Sequence, residues 1–108
     1  MRSIATVAVM GVAAVGLAAA PASAASAEWE RSCGTTYYAT VTSTIAYTIK
    51  GTTGSCAGYA YVKIRDKTGW YNWKSGATKA IIGRPDGWPI LESAHKGCAD
   101  CTPIYIAP

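Results

Sequence analysis

From residue 36 to residue 50 the chain keeps a two-residue rhythm. Tyr37, Ala39, Val41, Ser43, Ile45, Tyr47 and Ile49 fall on one side; Tyr38, Thr40, Thr42, Thr44, Ala46, Thr48 and Lys50 fall on the other. A repeat of two with so many β-branched residues suits a pleated strand, and nothing in the stretch carries helical spacing. At a strand's rise the whole run would reach about 50 Å, too far for a small domain. A break or bulge is therefore expected near Thr42-Ser43-Thr44. The remainder comes in short pieces. Gly51-Thr52-Thr53-Gly54-Ser55 has turn chemistry, and residues 57–66 form a return strand. On that strand Ala60, Val62 and Ile64 point one way while Tyr59, Tyr61, Lys63 and Arg65 point the other. Asp66-Lys67-Thr68-Gly69 turns into Trp70-Tyr71-Asn72-Trp73-Lys74, and segments 78–82, 90–95 and 103–106 read as further strands. The pattern predicts an all-β fold, a small antiparallel β-sandwich or barrel of about six strands.

The segment before this region has another character. Met1-Arg2-Ser3 precedes an apolar run over residues 4–20, then Pro21 and two tandem small-x-small sites ending at Ala24 and Ala27. This is the pattern of a secretory signal peptide, residues 1–24, with cleavage after Ala27 as the alternative. Residues 25–108 then form a single β domain with no integral membrane segment after cleavage. Cys33, Cys56, Cys98 and Cys101 all lie beyond the leader, so they mature where thiols oxidise to disulfides. The spacing favours Cys33–Cys56 with Cys98–Cys101, because the second pair closes easily; Cys33–Cys98 with Cys56–Cys101 is the rival. A Cys33–Cys56 link would contribute roughly 3–4 kcal/mol by loop entropy. Such staples matter because large aliphatic residues are few: beyond the leader the chain has no Phe and no Met, and its seven Tyr and four Trp supply much of the bulk. The Trp rings are expected to fill the core in place of Phe and Leu, with Tyr59 and Tyr61 partly exposed.

The formal net charge of +4 becomes +3 once Arg2 leaves with the leader, since all six acidic residues lie beyond it. That surplus is spread along the chain. It suits an anionic wall polymer or membrane surface without demanding one and lacks the clustered stripe of a nucleic-acid binder, so no nucleic-acid partner is expected.

Cys33-Gly34 with Tyr37 opens the domain. The hairpin Thr44-Ile45-Ala46-Tyr47-Thr48-Ile49 with Thr53-Gly54-Ser55-Cys56 follows, then Val62-Lys63-Ile64-Arg65, then Trp88-Pro89-Ile90-Leu91, Ala94 and Cys98-Ala99-Asp100. In this order the chain resembles the spore-associated protein A group, small secreted proteins of sporulating actinobacteria. The resemblance covers most of the domain through scattered positions and departs at Cys101, where an aromatic residue is expected. It implies an extracellular, surface-associated protein.

Several constellations test for chemistry. Cys98-Ala99-Asp100-Cys101 has the spacing of dithiol oxidoreductases, but those set the motif at a helix N-terminus, and Thr102-Pro103 discourages a helix here. His95, Cys98 and Cys101, with Asp100, have zinc-ligand spacing, but zinc needs thiolates that export works against. Ser93 and His95 share a strand face without an implied third partner, and the acids are dispersed. The reading is no enzyme, no cofactor and no metal. The strongest surface is an aromatic–basic band of Tyr59, Tyr61, Lys63, Arg65, Trp70, Tyr71, Trp73 and Lys74, a candidate ligand-binding face. It points to a secreted, non-enzymatic binding or structural protein whose partner is a cell-surface or wall polymer, or an extracellular protein. The alternative is a secreted inhibitor of an extracellular hydrolase, or a protein toxin, with a stapled loop presenting Lys96 to a trypsin-like protease.

The cysteine reading makes a direct prediction. The exported protein, denatured without reductant, is expected to show no reactive thiol; two or more titratable sulfhydryls, or stoichiometric zinc release, would overturn it.

Overall fold

The computed structural model describes residues 24–108; the signal peptide read at residues 1–24 lies outside them except for Ala24. The strands in chain order are β1 (Ala24–Glu30), β2 (Thr36–Thr42), β3 (Ile45–Lys50), β4 (Ala60–Asp66), β5 (Gly69–Trp70), β6 (Lys74–Gly76), β7 (Lys79–Gly83), β8 (Glu92–Lys96) and β9 (Ile104–Ile106). They build two antiparallel sheets packed face to face. One has the order β1-β2-β3-β7. The other has the order β9-β8-β4, with β5 and β6 end to end along the far edge of β4. The disulfides are Cys33–Cys56 and Cys98–Cys101. The all-β, disulfide-stapled reading holds. The strand number is higher than expected because residues 24–30 add β1, the 36–50 run is two strands, and the 70–74 segment is divided between β5 and β6.

That run turns at Ser43-Thr44. Thr42 Oγ1 accepts from the backbone N–H of Thr44 at 3.2 Å and of Ile45 at 3.1 Å, so a hydroxyl replaces ladder partners and folds the chain back. The reversal also swaps the faces. Tyr37, Ala39 and Val41 point inward on β2, but Ala46 and Thr48 point inward on β3, leaving Ile45, Tyr47 and Ile49 outside. The single shared face read from the sequence is therefore corrected at the turn. A second correction concerns residues 57–66. Their strand does not pair with β3 but crosses to the other sheet, where Ala60, Val62 and Ile64 face inward as expected.

The core is built from small side chains: Val41, Ala46, Ala60, Val62, Ile64, Ala80 and Ile90, with Ala25, Ile82 and Ile106 against its rim. None of the four Trp is buried, so the expectation that they fill the core fails; Tyr37 is the one buried Tyr among the described residues. Tyr37 stacks on Trp29 with centroids 5.5 Å apart, and its hydroxyl donates to Gly97 O at 3.2 Å. Arg31 Nη1 reaches Tyr37 Oη at 3.2 Å, Ala57 O at 2.9 Å and Gly97 O at 3.1 Å, joining three separate segments. Both disulfides lie at this end of the sandwich. Cys33–Cys56 brings Gly54, at φ +75°, so close to Gly34 that a Cβ would sit 2.2 Å from the Gly34 carbonyl carbon. Across from it Gly58 packs against Cys98.

The Gly97 position makes a stability prediction. A Cβ there would lie 2.6 Å from Tyr37 Cζ, while one at Gly83 meets nothing within 4 Å. Gly97→Ala is expected to cost roughly 1–3 kcal/mol in urea unfolding. Gly83→Ala should change little, and equal effects would mean the Tyr37 contact is unimportant.

Candidate functional site

The outer face of the β9-β8-β4 sheet gathers most of the predicted band. Directly opposed residues share a face, so Tyr61 sits beside Lys96, Lys63 beside Ala94, and Arg65 between Glu92 and Trp70. Tyr105 lies on the other side of Ala94. Ala94 carries only a methyl, and the larger neighbours lean across it, leaving it with no exposure. Trp70 and Tyr105 meet edge to face at 5.6 Å, and Tyr61 and Trp73 do so at 6.2 Å.

Cations thread between these rings. Lys63 Nζ lies 5.0 Å from the Trp70 centroid and 4.7 Å from that of Trp73. Lys96 Nζ lies 4.3 Å from Trp73 and 5.1 Å from Tyr61, and it donates to Ala99 O at 2.6 Å. Arg65 stands 6.0 Å from the Trp70 ring and is paired with Glu92 at 3.1 Å. Each such contact is worth about 0.5–1 kcal/mol when exposed, enough to fix ring orientation. The result is a platform whose outermost rings, Trp70 at 40 % and Tyr105 at 52 % exposure, stand beside a fixed positive charge.

The remaining predicted residues lie elsewhere. Tyr59 is exposed just ahead of β4. Lys74 alternates with Trp73 and Tyr71 lies in the break between β5 and β6; both line an open cleft of about 440 Å³ between the sheets with Ile64, Asn72, Ile82 and Arg84. Tyr71 Oη donates to Asp66 at 2.8 Å, and Arg84 reaches the same carboxylate at 3.1 Å. With Thr68 Oγ1 at 2.6 Å and Thr68 N at 2.8 Å, these donors hold the buried Asp66 well below the usual carboxylate range, the Thr68 hydroxyl contributing most. Sequence reasoning missed Lys96 and Tyr105 as members of the platform. Tyr105 is signalled only by its alternation with Ile104 and Ile106; Lys96 joins the band when β8 pairs with β4, and Tyr105 when β9 pairs with β8.

A shallow groove of about 470 Å³ also lies on the outer side of the other sheet, among Ser26, Glu28, Tyr38, Thr40, Tyr47 and Ile49.

Ser93 and His95 do acquire a third partner, Thr48. Thr48 Oγ1 donates to Tyr61 O at 2.8 Å and so accepts from His95 Nδ1 at 2.7 Å; Ser93 Oγ lies 2.6 Å from His95 Nε2. All three side chains have no exposure, so no substrate can reach this Ser–His pair; it bridges the two sheets. The same burial removes His95 from the zinc constellation. Cys98, Asp100 and Cys101 do converge within 4.8 Å, but both sulfurs are tied in the disulfide. Among the described residues no helix is long and apolar enough to cross a membrane. Comparison with protein-family models, with curated proteins and with solved structures gives no match.

Burial pushes the His95 pKa down from 6.5 to about 4, against a smaller opposing hydrogen bond to the Tyr47 backbone. Between these values the unfolded chain binds the proton and the folded chain does not. Stability is therefore expected to fall as pH drops through that window, by roughly 3 kcal/mol in full. Urea midpoints measured across the window check this, and a flat profile would mean His95 is charged inside the fold.

Proposed function

We propose that this is a secreted, non-enzymatic binding protein that attaches to a cell, spore or wall surface through the outer face of β9-β8-β4. The observation that carries the reading is the convergence of Trp70, Tyr105, Tyr61 and Trp73 with Lys63, Arg65 and Lys96 on one flat sheet face. Flat rings stack on sugar rings, and ammonium groups between them favour a polymer carrying phosphates or carboxylates. The surplus of basic residues points the same way, as does the resemblance to the spore-associated protein A group. Two disulfides suit an oxidising surrounding. The inhibitor alternative loses its presented side chain, because Lys96 is only 9 % exposed and is bonded to Ala99 O.

Retention on washed cells, spores or isolated walls tests the reading. Trp70→Ala combined with Tyr105→Ala is expected to reduce retention at least about tenfold with stability within about 1 kcal/mol of the parent, since both rings are half exposed. Raised salt should release the parent protein, because Lys63 and Arg65 are partly exposed to solvent. Undiminished retention of the folded double variant would sink the proposal.

A further inference from the structure

Two small-x-small sites precede the domain, Ala22-x-Ala24 and Ala25-x-Ala27, and both suit an export peptidase. The structure separates them. Ala24 is the first residue of β1, whereas Ala25, Ser26 and Ala27 are paired in register with Val41, Thr40 and Ala39. Ala25 packs against the core at Val41, and Ser26 Oγ lies 3.3 Å from Thr40 Oγ1. Further along, Trp29 stacks on Tyr37 beside Arg31.

We infer that the export peptidase cuts between Ala24 and Ala25, and that β1 belongs to the exported domain, the second site being strand rather than signal. The inference rests on the reading of the N-terminal segment as an export leader. The step is hydrolysis: one water is consumed, the Ala24–Ala25 C–N bond breaks, and a carboxylate on Ala24 and an ammonium on Ala25 result. Among the described residues only Ala24 leaves the strand, and its partner Thr42 uses its hydroxyl to hold the Ser43-Thr44 turn. A cut after Ala27 would leave Glu28-Trp29-Glu30 alone on β2. Val41 and Ala39 would lose their inward neighbours, and the upper half of β2 would become an edge with unpaired backbone groups. Once β1 is paired, the second site is no longer a free extended segment for a protease to thread.

Intact mass and N-terminal sequencing of the exported protein test this. A chain beginning at Ala25 is expected. One beginning at Glu28 overturns the inference and leaves the leader reading standing, whereas an uncut chain held inside cells overturns both. Ala27→Val, which spoils only the second site, should be processed like the parent; loss of processing overturns the inference. Refolded chains beginning at Ala25 and at Glu28 separate the physical argument from the enzymology. The shorter one is expected to melt about 10 °C lower, and equal melting would remove the structural reason for keeping β1.

Discussion

One guanidinium joins the parts that otherwise have least reason to stay together. Arg31, in the loop after β1, donates to the Tyr37 hydroxyl and to the carbonyls of Ala57 and Gly97. Those carbonyls belong to the crossover between the sheets and to the end of β8. A charged donor shared among three acceptors at a partly buried site satisfies groups that would be costly to leave unpaired. Both disulfides stand at the same end, so the covalent staples and the polar clamp reinforce one another there. The other end depends on a different charged group, the buried Asp66, whose four donors come from Thr68, Tyr71 and Arg84.

Between these ends the interior is lined with alanine, valine, isoleucine and threonine. Side chains this small leave little room for an indole, which is why the Trp rings lie on or near the surface instead of replacing Phe. The same shortage explains the buried His95. Lodged between Thr48 and Ser93, it fills volume between the sheets while both ring nitrogens find partners. A Ser–His pair that looks chemical in isolation is thus a packing element, and the candidate binding surface consists of the rings the core could not take.

The binding band was legible in outline. Alternation along 59–65 correctly set Tyr61, Lys63 and Arg65 against Ala60, Val62 and Ile64, because one strand face must be buried whatever covers it. The consecutive string at 70–74 was less readable. Trp70 and Trp73 join the band, but Tyr71 and Lys74 turn to the cleft on the other side, and the edge strand is interrupted between them. Lys96 reaches the platform when β8 pairs with β4, and Tyr105 when β9 pairs with β8, and no local pattern announces either contact.

The sequence by itself determined that the fold is all-β, which cysteines are close enough to staple easily, and where the turns fall. These follow from local rules: side-chain alternation, loop length, and the conformations Gly, Thr and Pro allow. Only the tertiary structure decided which strands are neighbours and which face of each is inside. The tight turn at Ser43-Thr44 swaps the buried set from odd to even positions, so the same alternation serves either assignment until a second sheet covers one side. Likewise β1 looks like spacer between a leader and a domain until β2 pairs with it residue by residue. A strand's partner is chosen by surfaces brought together through space, and sequence order alone does not carry that information.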